Sequence, residues 1–186
     1  MENNWQQGWW QGARRVDSPN FSPRAENETI SLMVLHNISL PPFEYGNGAV
    51  EKLFTNRIDP EEHPFFSILT ELRVSSHFLI TRQGEAIQFV SCDDAAYHAG
   101  VSSFRGREKC NAFSIGIEIE GCDFEPFTPA QYQCLNTLLP AIAEHYPIEA
   151  VTGHQDIAPG RKSDPGHFFD WEKIRRPGIT VVLGEN

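Results

Sequence analysis

Ser114-Ile115-Gly116-Ile117-Glu118-Ile119-Glu120 is the stretch that decides the fold. Strict alternation of this kind marks a β-strand, where successive side chains point to opposite faces. The three isoleucines share a core face, and Gly116, Glu118 and Glu120 share the other, which reads as accessible. Upstream, the apolar run Leu32-Met33-Val34-Leu35 ends at His36 and Asn37 and reads as a second, buried strand. Residues 74–81 and 85–91 read as two more strands around Gln83-Gly84, a hairpin signal.

Helices fall between and after these strands. Thr128 is placed to cap a helix with Pro129 at its first position. Tyr132, Leu135, Leu139, Ile142 and Tyr146 then recur at helical spacing. Pro140 interrupts the pattern and predicts a kink, because an interior proline costs about 3 kcal/mol. A short helix is expected near Ala49–Phe54 inside a Pro- and Gly-rich loop over 37–66, and Asp170 is expected to cap a last short helix. A second long loop covers 95–112, and loops of such length commonly form a functional rim. Residues 1–30, broken by Pro19 and Pro23, read as an extended lead-in packed on the surface. No repeat or linker divides residues 1–186, so the expectation is one α/β domain, a mixed central β-sheet flanked by helices.

The totals set limits on function. With 186 residues, 40% hydrophobic and 22% charged, the chain is long enough and apolar enough to bury a core of its own. A formal net charge of -10 argues against a general nucleic-acid binder, which needs a basic face for phosphates. The N-terminus shows no basic segment followed by an apolar one, and no run approaches the roughly 20 apolar residues of a membrane helix. The expectation is a cytoplasmic protein with no membrane partner. Cys92, Cys110, Cys122 and Cys134 contain no Cys-x-x-Cys pair and read as reduced, structurally plain thiols.

His36, at a strand end, joins His154 and Asp164 of the loop Thr152–Gly166 as the candidate metal set. Two imidazoles and one carboxylate suit Zn2+ and leave a fourth coordination position open, which points to catalysis rather than a structural staple. Lys162 lies two residues from Asp164, so in an extended loop both side chains point the same way. Composition alone does not choose among the histidines, since His77 and His98 also occupy telling places.

Taken in order, Val34-Leu35-His36-Asn37, Val74-Ser75-Ser76-His77-Phe78-Leu79-Ile80, His98-Ala99-Gly100, Ile115 to Gly121, Thr152-Gly153-His154 and Lys162-Ser163-Asp164-Pro165-Gly166 match a family. Together they resemble the zinc N-acetylmuramoyl-L-alanine amidases related to phage amidase-lysozymes and peptidoglycan recognition proteins. The resemblance runs from Ala13-Arg14-Arg15-Val16 to Phe169-Asp170-Trp171. It implies a peptidoglycan-recognition/amidase-like fold, with His36, His154 and Asp164 as zinc ligands. Phage relatives carry a cysteine where this chain has Asp164, and both donors supply one negative charge.

The resemblance further implies Glu118 as general base, Glu120 as a supporting carboxylate, Lys162 as oxyanion stabiliser and His77 as a core histidine. Asn37, Arg73, Arg107, Lys109 and His98 are the implied substrate contacts. The implied reaction is hydrolysis of the amide between the lactyl group of 1,6-anhydro-N-acetylmuramic acid and L-alanine, on a small muropeptide and by a monomer. Lys109 stands where close relatives carry arginine, and Tyr97 where tryptophan commonly precedes His-Ala-Gly. Two other readings stay open: an envelope amidase acting on intact peptidoglycan, and a peptidoglycan-fragment binding protein without catalysis.

Overall fold

The structure, a computed structural model, describes residues 4–184. Six strands make its main sheet: β1 (Arg14–Arg15), β2 (Leu32–Ile38), β3 (Phe78–Ile80), β4 (Ala86–Gln88), β5 (Ser114–Glu120) and β6 (Ala150–Gly153). They lie in the order β6-β2-β5-β3-β4-β1. β5 runs parallel to β2 and β3, β6 runs parallel to β2, and β3 and β4 form an antiparallel hairpin. The sheet is mixed, as the alternating and continuous apolar runs predict.

The hairpin strands are shorter than 74–81 and 85–91. Outside the regular ladder the backbone bonds elsewhere, with Ser75 N–H donating to Tyr97 O and His77 N–H to Gly116 O. At the turn, Gly84 has φ +83° and a Cβ there would lie 2.6 Å from the Ala130 carbonyl oxygen. Only glycine meets both demands.

Helix α1 (Ala49–Phe54) forms where the sequence places it and buries Val50, Leu53 and Phe54 against Leu79, Ile87 and Phe89. Helix α2 (Pro129–His145) packs Tyr132, Leu135, Leu138, Leu139 and Ile142 with Ile115, Ile117 and Ile119 of β5. Its start is a capping box: Thr128 Oγ1 accepts from Gln131 N–H at 3.2 Å, and Gln131 Oε1 accepts from Thr128 N–H at 2.9 Å. Pro140, where a kink is expected, lies inside one continuous helix that runs on to His145. Burial of residues on both sides of the proline holds the two halves in one element. Helix α3 (His154–Ile157) follows β6 directly, and Asp170 caps the 3-10 turn Trp171–Ile174.

The opposite face of the sheet is covered rather than accessible. Segment 95–112 is not a bare loop: Ser103–Phe104 pairs with Arg107–Glu108, and Cys110–Ala112 forms a 3-10 turn. With Ala99, Phe104, Cys110 and Phe113 it packs on Leu32 and Val34. Glu118 and Glu120 are only 9% and 5% exposed, which corrects the accessible face expected for them. Glu120 spends its carboxylate on backbone, accepting from Gly46 N–H at 2.6 Å and Arg82 N–H at 2.9 Å.

The lead-in is pinned by polar contacts. Phe21–Pro23 pairs with Asp94–Ala96, and Gln88 accepts from Trp10 N–H while donating to Gly8 O, both at 2.8 Å. Arg24 donates to the carbonyls of Cys92, Asn111, Ala112 and Ser114. One buried guanidinium thus ties the lead-in to segment 92–114, and its planar fork suits several carbonyls at once. No helix among the described residues is long and apolar enough to cross a membrane.

Thr128→Ala is expected to destabilise the protein by about 1–2 kcal/mol, because it removes a cap and the bond from Thr128 Oγ1 to Arg82 O. The shift in the urea midpoint measures it, and an unchanged midpoint would refute the capping role.

Candidate metal centre and active site

Parallel register assembles the site. β5 and β2 pair so that Glu118 lies beside His36, and β6 and β2 pair so that Gly153 lies beside Leu35. His154 therefore follows one step on, level with His36, where β6 gives way to α3. Three neighbouring parallel strands thus deliver His36, Glu118 and His154 near their carboxyl ends, the usual place for a ligand in such sheets. Asp164 comes from the loop after α3, which is closed by Gln155 N–H donating to Asp164 O at 2.8 Å. Asn37 Nδ2 holds that loop from the other side, donating to Pro165 O at 3.1 Å and to Asp123 Oδ1 at 2.6 Å.

His36 Nδ1, His154 Nδ1 and Asp164 Oδ2 converge. The nitrogens are 2.9 Å apart, and the carboxylate oxygen is 3.1 Å from His36 and 3.0 Å from His154. These separations approach the roughly 3.3 Å edge of a tetrahedron with metal–donor bonds of about 2.0 Å. Each imidazole turns Nδ1 inward and gives Nε2 to a partner: His154 Nε2 donates to Ala99 O at 3.0 Å, and His36 Nε2 lies 2.9 Å from His98 Nδ1. Ligand histidines are held in this way in metal centres. The donor set fits a divalent cation, and His36, His154 and Asp164 are the three residues placed to hold it.

Electrostatics agree with that fit. Burial pushes the His36 imidazole down to about 4, only partly offset by its hydrogen bond with Asp164. Burial raises the Asp164 carboxyl, but hydrogen bonding to His154 and His36 outweighs this and holds it below the usual carboxylate range. Both ligands thus present lone pairs near neutral pH. Glu118 stands next to them, its Oε1 4.0 Å from His36 Nδ1 and its Oε2 buried without a hydrogen-bond partner. Burial first, and the Asp164 charge second, push its carboxyl well above the usual range, while Lys162 pulls it down.

A cavity of about 250 Å³ opens onto these groups and is lined by His36, Asn37, His98, Glu118, His154, Lys162 and Asp164. The structure therefore brings seven of the sequence-selected residues to one place. His98 lines the cavity beside His36 and is its hydrogen-bond partner. Asn37 commits its amide N–H groups to Asp123 Oδ1 and to Pro165 O of the Asp164 loop.

Arg73 and Arg107 do not line this cavity. Arg73 turns back to the carbonyls of Thr70 and Leu72, and Arg107 pairs with Glu28 over the Phe113 ring. Lys109 lines a neighbouring groove of about 560 Å³ with Arg161. Sequence reasoning passed over Arg161, whose only signal was its place beside Lys162; it donates to the carbonyls of Ala99 and Val101.

Gly116 explains a further feature of the decisive strand. The His98 ring lies against it, and a Cβ at Gly116 would stand 2.4 Å from His98 Cγ. A glycine inside a strand marks such a close approach.

The chain matches the model of the family described as N-acetylmuramoyl-L-alanine amidase over residues 26–167. The 1,6-anhydro-N-acetylmuramyl-L-alanine amidase AmpD of Escherichia coli (strain K12) is 54% identical over 172 residues, covering 91% of this chain and 94% of that protein. The crystal structure of a selenomethionine AmpD derivative superposes with a TM-score of 0.89 at 51% identity, covering 94% of this chain and 98% of that one. AmiD from E. coli, solved in complex with anhydro-N-acetylmuramic acid-L-Ala-D-gamma-Glu-L-Lys, gives a TM-score of 0.62 at 30% identity over 84% of this chain and 61% of that one. This chain belongs to the N-acetylmuramoyl-L-alanine amidase family and is an amide hydrolase.

Two outcomes are expected from the site's packing and charge. Gly116→Ala should displace His98 and cost about 1–3 kcal/mol by overpacking, read as a lowered melting temperature; an unchanged value would refute the close approach. His36 and His77 titrate at about 4 and about 3 in the fold, both lowered first by burial. The unfolded chain, with histidines near 6.5, binds more protons below that pH. Stability of the metal-free Glu118→Gln variant, which lacks the opposing contribution of the raised Glu118 carboxyl, should therefore hold from pH 8 to 7 and fall from about 6.5 towards 4. A urea midpoint that stays level across that lower window would contradict the buried neutral histidines.

Proposed function

We propose that this protein is a zinc amidase that cuts the bond between the lactyl carbonyl of 1,6-anhydro-N-acetylmuramic acid and the nitrogen of L-alanine in small muropeptides. The observation that carries the reading is the convergence of His36 Nδ1, His154 Nδ1 and Asp164 Oδ2 beside the unpartnered Oε2 of Glu118. Identity of 54% with an enzyme of that name, over nine-tenths of both chains, supports the substrate class. Zn2+ held by the three ligands would supply Lewis acidity towards the scissile carbonyl and acidify an attacking water.

Glu118 Oε2 takes the proton from that water and returns it to the departing alanine nitrogen. Its burial makes it a stronger base than an exposed carboxylate, which suits proton transfer near neutral pH. Lys162, at the cavity mouth, sets its ammonium against the oxyanion that develops on the carbonyl. Lys109 and Arg161 offer cations along the adjoining groove to carboxylates of the stem peptide. The four cysteines are free thiols, three of them buried, which suits a reducing, cytoplasmic setting.

Glu118→Gln is expected to keep about one zinc per chain and lose about 10²–10⁴-fold in turnover. Full turnover in that variant would remove Glu118 from the role of base. Incubating zinc-loaded protein with anhydro-muramyl tripeptide and with polymeric peptidoglycan tests the substrate. Faster release of stem peptide from the polymer would overturn the muropeptide reading in favour of an envelope amidase.

A further inference from the structure

Resting on the metal-centre reading above, we propose that Asn111 is a positioning residue that sets the outer hydrogen bonds of both histidine ligands at once. Its side-chain Oδ1 accepts from two successive backbone groups, His98 N–H at 3.1 Å and Ala99 N–H at 2.8 Å. Those same two residues face the two imidazoles. The His98 ring meets His36 Nε2 at 2.9 Å, and the Ala99 carbonyl meets His154 Nε2 at 3.0 Å. Asn111 thus lies two hydrogen bonds from each ligand and touches neither.

Directions along these bonds follow from the acceptors. A carbonyl only accepts, so His154 carries its proton on Nε2 and turns a lone pair on Nδ1 inward. On the other branch, Ser114 Oγ donates to Cys110 O at 2.6 Å, which spends its one proton. Ser114 Oγ must then accept from His98 Nε2, 3.2 Å away. His98 Nδ1 is left as an acceptor, so the bond from His36 runs Nε2–H to Nδ1. His36 Nδ1 is thereby held as an inward lone pair as well. Both nitrogens are prepared as donors by the dipeptide that Asn111 clamps.

The clamp is itself fixed. Arg24 Nη1 donates to Asn111 O at 3.0 Å, and Gly116 leaves the room in which the His98 ring stands. Asn111 is half-buried, so its truncation removes an acceptor without opening a core cavity. Outer partners of this kind are worth about 10–100-fold in metal affinity.

The test measures binding of Zn2+ alone to the full chain by chelator competition, with Co2+ absorption as a report on ligand geometry. Asn111→Ala should weaken Zn2+ binding about 10–100-fold and alter the Co2+ spectrum, with the metal-free protein still melting cooperatively. Asn111→Asp, which keeps an acceptor at Oδ1, should recover most of the affinity, a rescue that a simple loss of stability would not predict. Ser114→Ala approaches from the other side and serves should Asn111→Ala fail to fold. It should free His98 to move its proton to Nδ1, visible in ¹⁵N spectra of the imidazoles, and weaken Zn2+ binding too. Unchanged affinity in folded Asn111→Ala, or in Ser114→Ala, would overturn the proposal while leaving the metal centre standing. Failure of the unaltered protein to bind Zn2+ would overturn both.

Discussion

The parallel pairing of His36 with Glu118 across β2 and β5 is the constraint on which the rest of the structure depends. A parallel register with period-2 side chains sends both residues to one face, so a ligand and a carboxylate arrive as neighbours without help from any loop. A one-residue slip would turn His36 into the core and put Leu35 in its place. The apolar partners on the other face forbid that slip, because Met33, Leu35 and the three isoleucines of β5 are fully buried there. Packing on α2 therefore maintains the geometry of the site on the opposite side of the sheet.

Burial is what gives that geometry its chemistry. A sheet buried on both faces ordinarily carries apolar residues on both, and here one face carries His36, Glu118 and Glu120. Each meets the cost differently. Glu120 is satisfied by backbone N–H groups and acts as a tie between loops. His36 is paired at both nitrogens. Glu118 alone keeps an unpartnered oxygen, and an unpaired buried polar atom in a native fold calls for a functional account. Poor solvation raises its proton affinity, which suits the base role proposed for it.

Segment 92–114 supplies the outer hydrogen-bond partners of both histidines, the His98 ring and the Ala99 carbonyl. It is long and short of regular structure, yet it is held by specific polar contacts. Arg24 gathers its carbonyls, Asn111 closes its backbone on itself, and Ser114 joins its end to His98. The extended lead-in consequently matters to the site although it contributes no ligand. Anchoring Arg24 from residues 21–23 beside Asp94–Ala96 brings a cation to where backbone acceptors would otherwise be left unmatched.

By itself the sequence determined the strand pattern, the start of α2 at Thr128 and α1 at Ala49–Phe54, and it put forward His36, His154 and Asp164 with Glu118 and Lys162 as the candidate set. Those signals are local: period-2 alternation, a cap followed by proline, and family motifs at fixed spacing. Tertiary structure decided what local signals cannot carry. Glu118 is buried although its strand pattern reads as accessible, and that His98 backs His36 depends on Gly116 having no side chain. Arg73 and Arg107 carried the right charge, yet their direction was set by Thr70, Leu72 and Glu28, partners that charge alone does not reveal. Residue type shows which groups can bind a cation or move a proton. Only the packed chain determines which of them share a low-dielectric cavity, and the chemistry follows from that sharing.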